Sequence, residues 1–205
     1  LNQNNNKPWF DKNRDWYHEI RKPFANFTQA LEGEVMIFDE AVQKNALDSK
    51  ASKMFRINRD VRFSHNKSPY NIHFSCLVWP PNHPFNDGAV YYVRLEPGNC
   101  MIAGGIYHAH SETLSQIRKN LAQGGNELKI VLEQEKFKAH WPGLDFDMSV
   151  KTAPRGFTKD HPEIKYLKER RLNLGGYLPE RTTYAKPIKA PSKDIFDSMK
   201  VSTGE

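Results

Sequence analysis

Cysteine is scarce in this chain of 205 residues. There are two, Cys76 and Cys100, and both sit in apolar runs, where a free thiol behaves as a small hydrophobe. There is no Cys-x-x-Cys pair and no zinc spacing, which argues against a disulfide framework or a thiolate metal centre. A cytoplasmic setting, or a nuclear one, is the default expectation. Long apolar runs are missing as well. Nothing approaches the roughly 20 residues of a membrane helix, and Leu1 to Lys7 carries no apolar stretch of the signal-peptide kind, so no membrane partner is expected. Familiar catalytic signatures are also absent. There is no Gly-x-Ser-x-Gly elbow, no phosphate loop ending in Gly-Lys-Ser/Thr and no cofactor fingerprint. Gly104-Gly105 lies inside a strand-like run with no helix after it, so a close backbone approach or bulge is the better reading. Acidic side chains are the scarcer sign of charge, 24 against 30 basic, for a net +6 and a pI near 9.2. That balance leans toward phosphate-bearing or acidic partners.

Aromatic residues are not scarce. They make up 12% of a chain that is 38% hydrophobic, which excludes general disorder, and the length allows a core without covalent staples. One α+β domain is expected over residues 1–185, followed by a Pro- and Lys-rich loose tail or strap over 186–205. Asn6 reads as a helix N-cap with Pro8 in the first turn. Trp9, Phe10, Asn13, Trp16, Tyr17 and Ile20 recur at helical spacing and read as core. Pro23 should kink or break this helix near Arg21, and the stripe resumes at Phe24, Phe27 and Leu31.

The period then changes to two. Phe55, Ile57, Val61 and Phe63 alternate with Arg56, Asn58, Asp60 and Arg62. Ile72, Phe74, Cys76 and Val78 alternate after a turn at Lys67-Ser68-Pro69. Two more strands follow, AVYYVRLE and CMIAGGIYH, joined at Pro97-Gly98-Asn99. The pattern predicts an antiparallel meander of four or five strands packed against N-terminal and C-terminal helices. Ser111 should cap ETLSQIRKNLAQ, and Asn126 should cap ELKIVLEQEKF. MSVKTAP is a candidate edge strand. Asp160, with Glu163 three residues on, should open a helix through IKYLKERR.

The densest chemistry lies in RINRDVRFSHNKSPY, Arg56 to Tyr70. On one strand Arg56, Asp60 and Arg62 would share a face, with paired guanidinium groups suited to phosphate or carboxylate. Lys67 and Tyr70 would close over the anion from the turn. Arg59 falls on the apolar phase and reads as structural, a guanidinium either buried and paired or turned outward at a bulge. His108 and His110 would share a strand face, but no third ligand stands at usable spacing, so no metal site is expected.

The pattern Arg56-x-x-Arg59-Asp60-x-Arg62-Phe63, with Asn66-Lys67-x-x-Tyr70, resembles the signature of the domain-of-unknown-function 2461 family of bacteria and fungi. NNNKPWFDKNRDWY, YYVRLEPG with GGIY, and APRGFTKDHP extend the resemblance over roughly Leu1 to Tyr184. It implies that Arg56, Arg59, Asp60, Arg62, Lys67 and Tyr70 are marker positions, joined by Arg155, Lys159, Asp160 and His161. It implies no particular activity.

Three readings follow. In the first, Arg56, Arg62, Lys67, Tyr70 and Arg155 bind an anionic small molecule. If that site is catalytic, Asp60, Tyr70 or His161 moves protons. In the second, a basic sheet bearing Tyr91 and Tyr92 binds nucleic acid by stacking. In the third, the arginines are structural salt bridges of a scaffold or interaction domain. Whether the protein is an enzyme, and its oligomeric state, are left open.

Overall fold

The structure is a computed structural model and describes residues 1–46, 50–82, 84–107, 109–124, 126–141, 143–144 and 149–177. The tail expected at 186–205 and His108 lie outside them.

Polar asparagines start the first helix. The Asn6 side chain accepts from the Trp9 amide at 3.0 Å, which caps α1, Lys7–Lys12. The break comes at Asn13, not at Pro23, and Pro23 sits inside α2, Arg14–Phe38. Both Pro23 and Glu19, whose carbonyl loses its amide partner, are on the exposed side of α2, where solvent can satisfy a carbonyl, and the helix continues through Pro23. Asp39 then turns the chain into α3, Glu40–Ala46. Its Oδ1 accepts from the amides of Ala41 and Val42 at 3.0 and 3.1 Å.

The sheet is antiparallel throughout, with five strands in chain order: β1 Ser52–Met54, β2 Phe74–Val78, β3 Val90–Leu95, β4 Met101–Ile106 and β5 Leu172–Tyr177. The meander is as the alternation predicts, with two corrections. The expected edge segment MSVKTAP contributes no strand among its described residues, and the fifth strand comes instead from LNLGGY. The helix expected through IKYLKERR is a single turn, α7, Ile164–Leu167. No Asp160 cap is formed, because His161 Nδ1 accepts from the Glu163 amide at 3.1 Å.

Register explains the core. Cys76 pairs with Val93 and Val93 with Ile102, which places all three on one face; Val78 and Tyr91 share the next row. α2 lays Phe24, Phe27, Leu31 and Val35 on that face, and Val131, Phe137 and Trp141 join the same core. They come from α5, Asn126–Glu133, from α6, Glu135–Lys138, and from the residues after α6. Each buried side chain of this size contributes about 1.5–3 kcal/mol. Gly105 meets the close approach expected of the Gly-Gly pair. It has φ +105°, and a Cβ there would stand 2.2 Å from the Leu172 carbonyl oxygen, so only glycine lets β5 pair at this point. After β4, α4 spans Ser111–Ala122. Its start is held by Asp87, not by a Ser111 cap: Asp87 accepts from the His110 amide at 2.7 Å and the Thr113 hydroxyl at 3.0 Å. Among the described residues no helix is long and apolar enough to cross a membrane.

Candidate functional site

Arg56 to Tyr70 is a closed loop and not the expected strand. β1 ends at Met54, and Phe55 makes the last ladder-like bond, to the Ser75 carbonyl at 2.9 Å. The chain returns only as a short stem, where Asn58 bridges Tyr70, the Arg59 amide reaches the Pro69 carbonyl at 2.9 Å and the Asn71 amide reaches Ile57 at 2.7 Å. The physical reason lies in Asp60. Its Oδ1 accepts from the Arg62 amide at 3.2 Å, an Asx-type contact that turns the backbone out of a ladder.

Inside the loop most cations already have partners. Arg62 grips Asp60 with Nε at 2.9 Å and Nη2 at 2.6 Å. These bonds, ahead of the Arg62 backbone bond and the field of Arg56, hold the Asp60 carboxyl down at about 2. Asp60 raises Arg62 in turn. Lys67 Nζ donates to the carbonyls of Val61 and Arg62 at 3.0 and 3.4 Å. Arg59 is half-buried and donates to the Ser68 carbonyl at 3.0 Å and, at 3.5 Å, to the Ser64 hydroxyl. Its partners are loop oxygens and not a helix acid. Arg56 is exposed. Phe63, at the tip, is 94% exposed.

Tyr70 is buried. Its ring stacks on Phe10 at 4.3 Å, and its backbone makes two bonds to the Asn5 side chain, at 2.9 and 3.0 Å. The expected convergence with Arg155 and His161 is not favoured by the topology. Those residues stand between Val150 and Lys168, which are hydrogen-bonded to each other at 2.9 Å, and the segment leads into the Leu172 end of β5. Register puts that end opposite the Phe74 end of β2, where the Arg56–Tyr70 loop closes. Arg155 is exposed in a turn. The half-buried His161 packs edge-on against Phe157.

Beside the loop lies a cleft that no local sequence pattern announces. It encloses about 490 Å³ between α1–α2, the segment 71–74 and the β3–β4 turn. Trp9, Phe10, Trp16, Tyr17, Ile20, Ile72 and Phe74 give it apolar walls, and Asn13, Asn71, His73 and Glu96 supply polar groups. Trp16, which reads in sequence as a core position, is 53% exposed. Glu96 pairs with Arg94 at 3.4 Å and accepts from Asn99 at 3.1 Å. Burial pushes the His73 imidazole below its ordinary value; Glu96 opposes that shift, and Arg94 and Arg59 add to it. The loop borders the cleft: Ile57 lines it, and the cleft residue Asn71 donates to the Arg56 carbonyl at 3.3 Å. Among the described residues no cluster of three or more His, Cys, Asp or Glu is set to hold a metal. His110 of the expected histidine pair is exposed.

A family model described as conserved hypothetical protein (DUF2461) matches residues 1–202. Among curated proteins the chain is similar to the pyruvate dehydrogenase E1 component of Corynebacterium glutamicum, 51% identical over 47 residues, 23% of this chain and 5% of that one. The same component of Mycolicibacterium smegmatis is 46% identical over 43 residues, 21% of this chain and 5% of that one. The chain thus spans about a twentieth of the length of these relatives. No solved structure matches it.

Proposed function

We propose, for a chain that belongs to the DUF2461 family of conserved hypothetical proteins, that the cleft binds a small molecule with an apolar, ring-bearing body and an anionic group. The observation that carries this is the cleft itself, aromatic-walled with a few convergent polar groups, which is how small-molecule sites are built. The anionic group is the part that draws on the arginine loop. Arg94 at the polar end is already paired with Glu96, and the exposed Arg56 stands next to the cleft residue Ile57. Arg56 and the chain's net charge of +6 favour an anion. Arg62 and Lys67 serve this reading as the braces that shape the loop, with Arg56 as the cation available to a ligand.

Nucleic acid is less well supported. Tyr91 is 1% exposed with its hydroxyl given to Asp39, and Tyr92 is half-buried, so neither offers an open face for stacking. A scaffold role accounts for the loop's internal bonds but not for the cleft.

Calorimetric titration with 2-naphthoate and its uncharged counterpart 2-naphthamide tests the proposal. The carboxylate should bind more tightly, Arg56→Ala should erase that preference, and Trp16→Ala should weaken both ligands. Equal binding of the two ligands to the unaltered protein would remove the anionic part. No heat with either at millimolar concentration would remove the site.

A further inference from the structure

The sheet side of the cleft presents hydrogen-bond acceptors that the protein itself leaves unused. The Phe74–Leu95 pair ends the β2–β3 ladder, so the next residues of the two strands, His73 and Glu96, stand beside each other, and both line the cleft. Glu96 is held through one oxygen only. Its Oε2 accepts from Asn99 at 3.1 Å and faces Arg94 Nε at 3.4 Å. Among the described residues Oε1 accepts nothing, from His73 or any other donor, and it is not sealed from solvent. A carboxylate oxygen can only accept. Asn71 repeats the pattern. Its Nδ2 donates to the Arg56 carbonyl at 3.3 Å and its backbone amide to the Ile57 carbonyl at 2.7 Å. A carbonyl only accepts, so chemistry orients the side-chain amide and leaves its oxygen without a protein partner. The aromatic donors of the lining, the Trp9 and Trp16 indoles and the Tyr17 hydroxyl, lie across the cleft on α1 and α2.

Charge decides which kind of donor fits. Arg94 already neutralises Glu96, in a chain of net charge +6. A cation at Oε1 would meet Arg94 as well as Glu96 and gain little. A neutral O–H or N–H takes the free lone pairs without that opposition, in a hydrogen bond strengthened by the charged acceptor. We infer that Glu96 Oε1 reads a neutral donor on the ligand: the cleft takes ring-bearing anions that also carry a hydroxyl or N–H group, hydroxyaryl carboxylates in the simplest case. This assignment rests on the ligand reading proposed above and narrows it, with Glu96 as a specificity residue. Anion and donor are then read at different points of the cleft, the first by Arg56 on the loop and the second by Glu96 just beyond β3.

Calorimetric titration with 6-hydroxy- and 7-hydroxy-2-naphthoate, their methoxy counterparts and plain 2-naphthoate tests the assignment. A methoxy group keeps the oxygen and loses the donor. At least one hydroxy compound should bind about tenfold more tightly than both its methoxy counterpart and 2-naphthoate. Glu96→Gln should erase the preference for hydroxy over methoxy. Its oxygen must face Asn99 and Arg94, which donate, so its NH2 group takes the place of Oε1, and a methoxy oxygen accepts from that as readily as a hydroxyl does. Affinity for 2-naphthoate should stay within about twofold in this variant, which shows that the cleft is intact. If 2-naphthoate binds and neither hydroxy compound binds more tightly, or if the preference survives Glu96→Gln, the assignment is overturned and the ligand reading stands. No heat from any of the compounds overturns both.

Discussion

At the scale of single residues, the polar end of the cleft makes a claim about pH. His73 titrates below its ordinary value chiefly because burial penalises the imidazolium, with Arg94 and Arg59 adding to the effect and Glu96 opposing it. The folded state therefore binds this proton less readily than the unfolded chain does. Its contribution is fully favourable above the ordinary histidine pKa and is lost as pH falls through that value toward the depressed one. The urea midpoint should drop between pH 7.5 and 5.5, and His73→Gln should flatten that drop; an unchanged slope would show that His73 is not the group responsible. Cys76 makes a similar statement about reactivity. Burial pushes its thiol up to about 11 against a weaker opposing bond from Thr28. A thiol without thiolate is inert, so alkylation of Cys76 by iodoacetamide at pH 8 should wait on unfolding and accelerate sharply in urea.

At the scale of elements, the Arg56–Tyr70 loop depends on the N-terminus for its position. The Asn5 side chain bonds both the amide and the carbonyl of Tyr70, and Phe10 stacks on the same ring. Asn5→Ala leaves two part-buried backbone groups without those partners, at a cost of about 1–3 kcal/mol. It should also speed hydrogen exchange of the Tyr70 amide more than that of the central strands; uniform acceleration would mean that the contact is not local. This loop is also where sequence and structure diverge. Cys76, Val78, Val93 and Ile102 alternate because they are strand residues over a core, and there the period is a true guide. Arg56, Asn58, Asp60 and Arg62 alternate equally well, but alternation records side-chain type and not backbone partners. Asp60 takes the Arg62 amide for itself, a competition that the period cannot display. β5 is hidden for the opposite reason. Leu172 to Tyr177 contains two glycines and follows a helix-like run, and its place at the sheet edge rests on the close approach that Gly105 permits. The cleft had no sequence signature because its walls come from four separated segments, and Trp16 carries the same helical spacing as true core residues.

At the scale of the whole molecule, one buried carboxylate ties the layers together. Asp39 is 4% exposed. Its Oδ1 holds the start of α3 through the amides of Ala41 and Val42, and its Oδ2 accepts from the Tyr91 hydroxyl at 2.8 Å. Tyr91 is on the central strand, so this side chain joins the α2–α3 corner to the middle of the sheet. Removing the two partners should have unequal effects. Tyr91→Phe deletes one hydroxyl and leaves Asp39 its two amide donors, a loss of about 1–2 kcal/mol. Asp39→Ala abolishes the cap, worth about 1 kcal/mol, and also deletes the charged acceptor of the Tyr91 hydroxyl, at about 1–2 kcal/mol more. The second variant should therefore be the less stable by urea denaturation. The double variant should cost less than the sum, because the phenol–carboxylate bond is counted in both single changes. Strict additivity would mean that the bond contributes nothing, and that corner and sheet are joined by the packing of Phe38 and Val42 instead. The cleft lies at the other end of α2, bounded by Trp16 and Ile20. Both single variants should therefore lower the unfolding midpoint while leaving 2-naphthoate affinity within about twofold, as expected for well-separated sites.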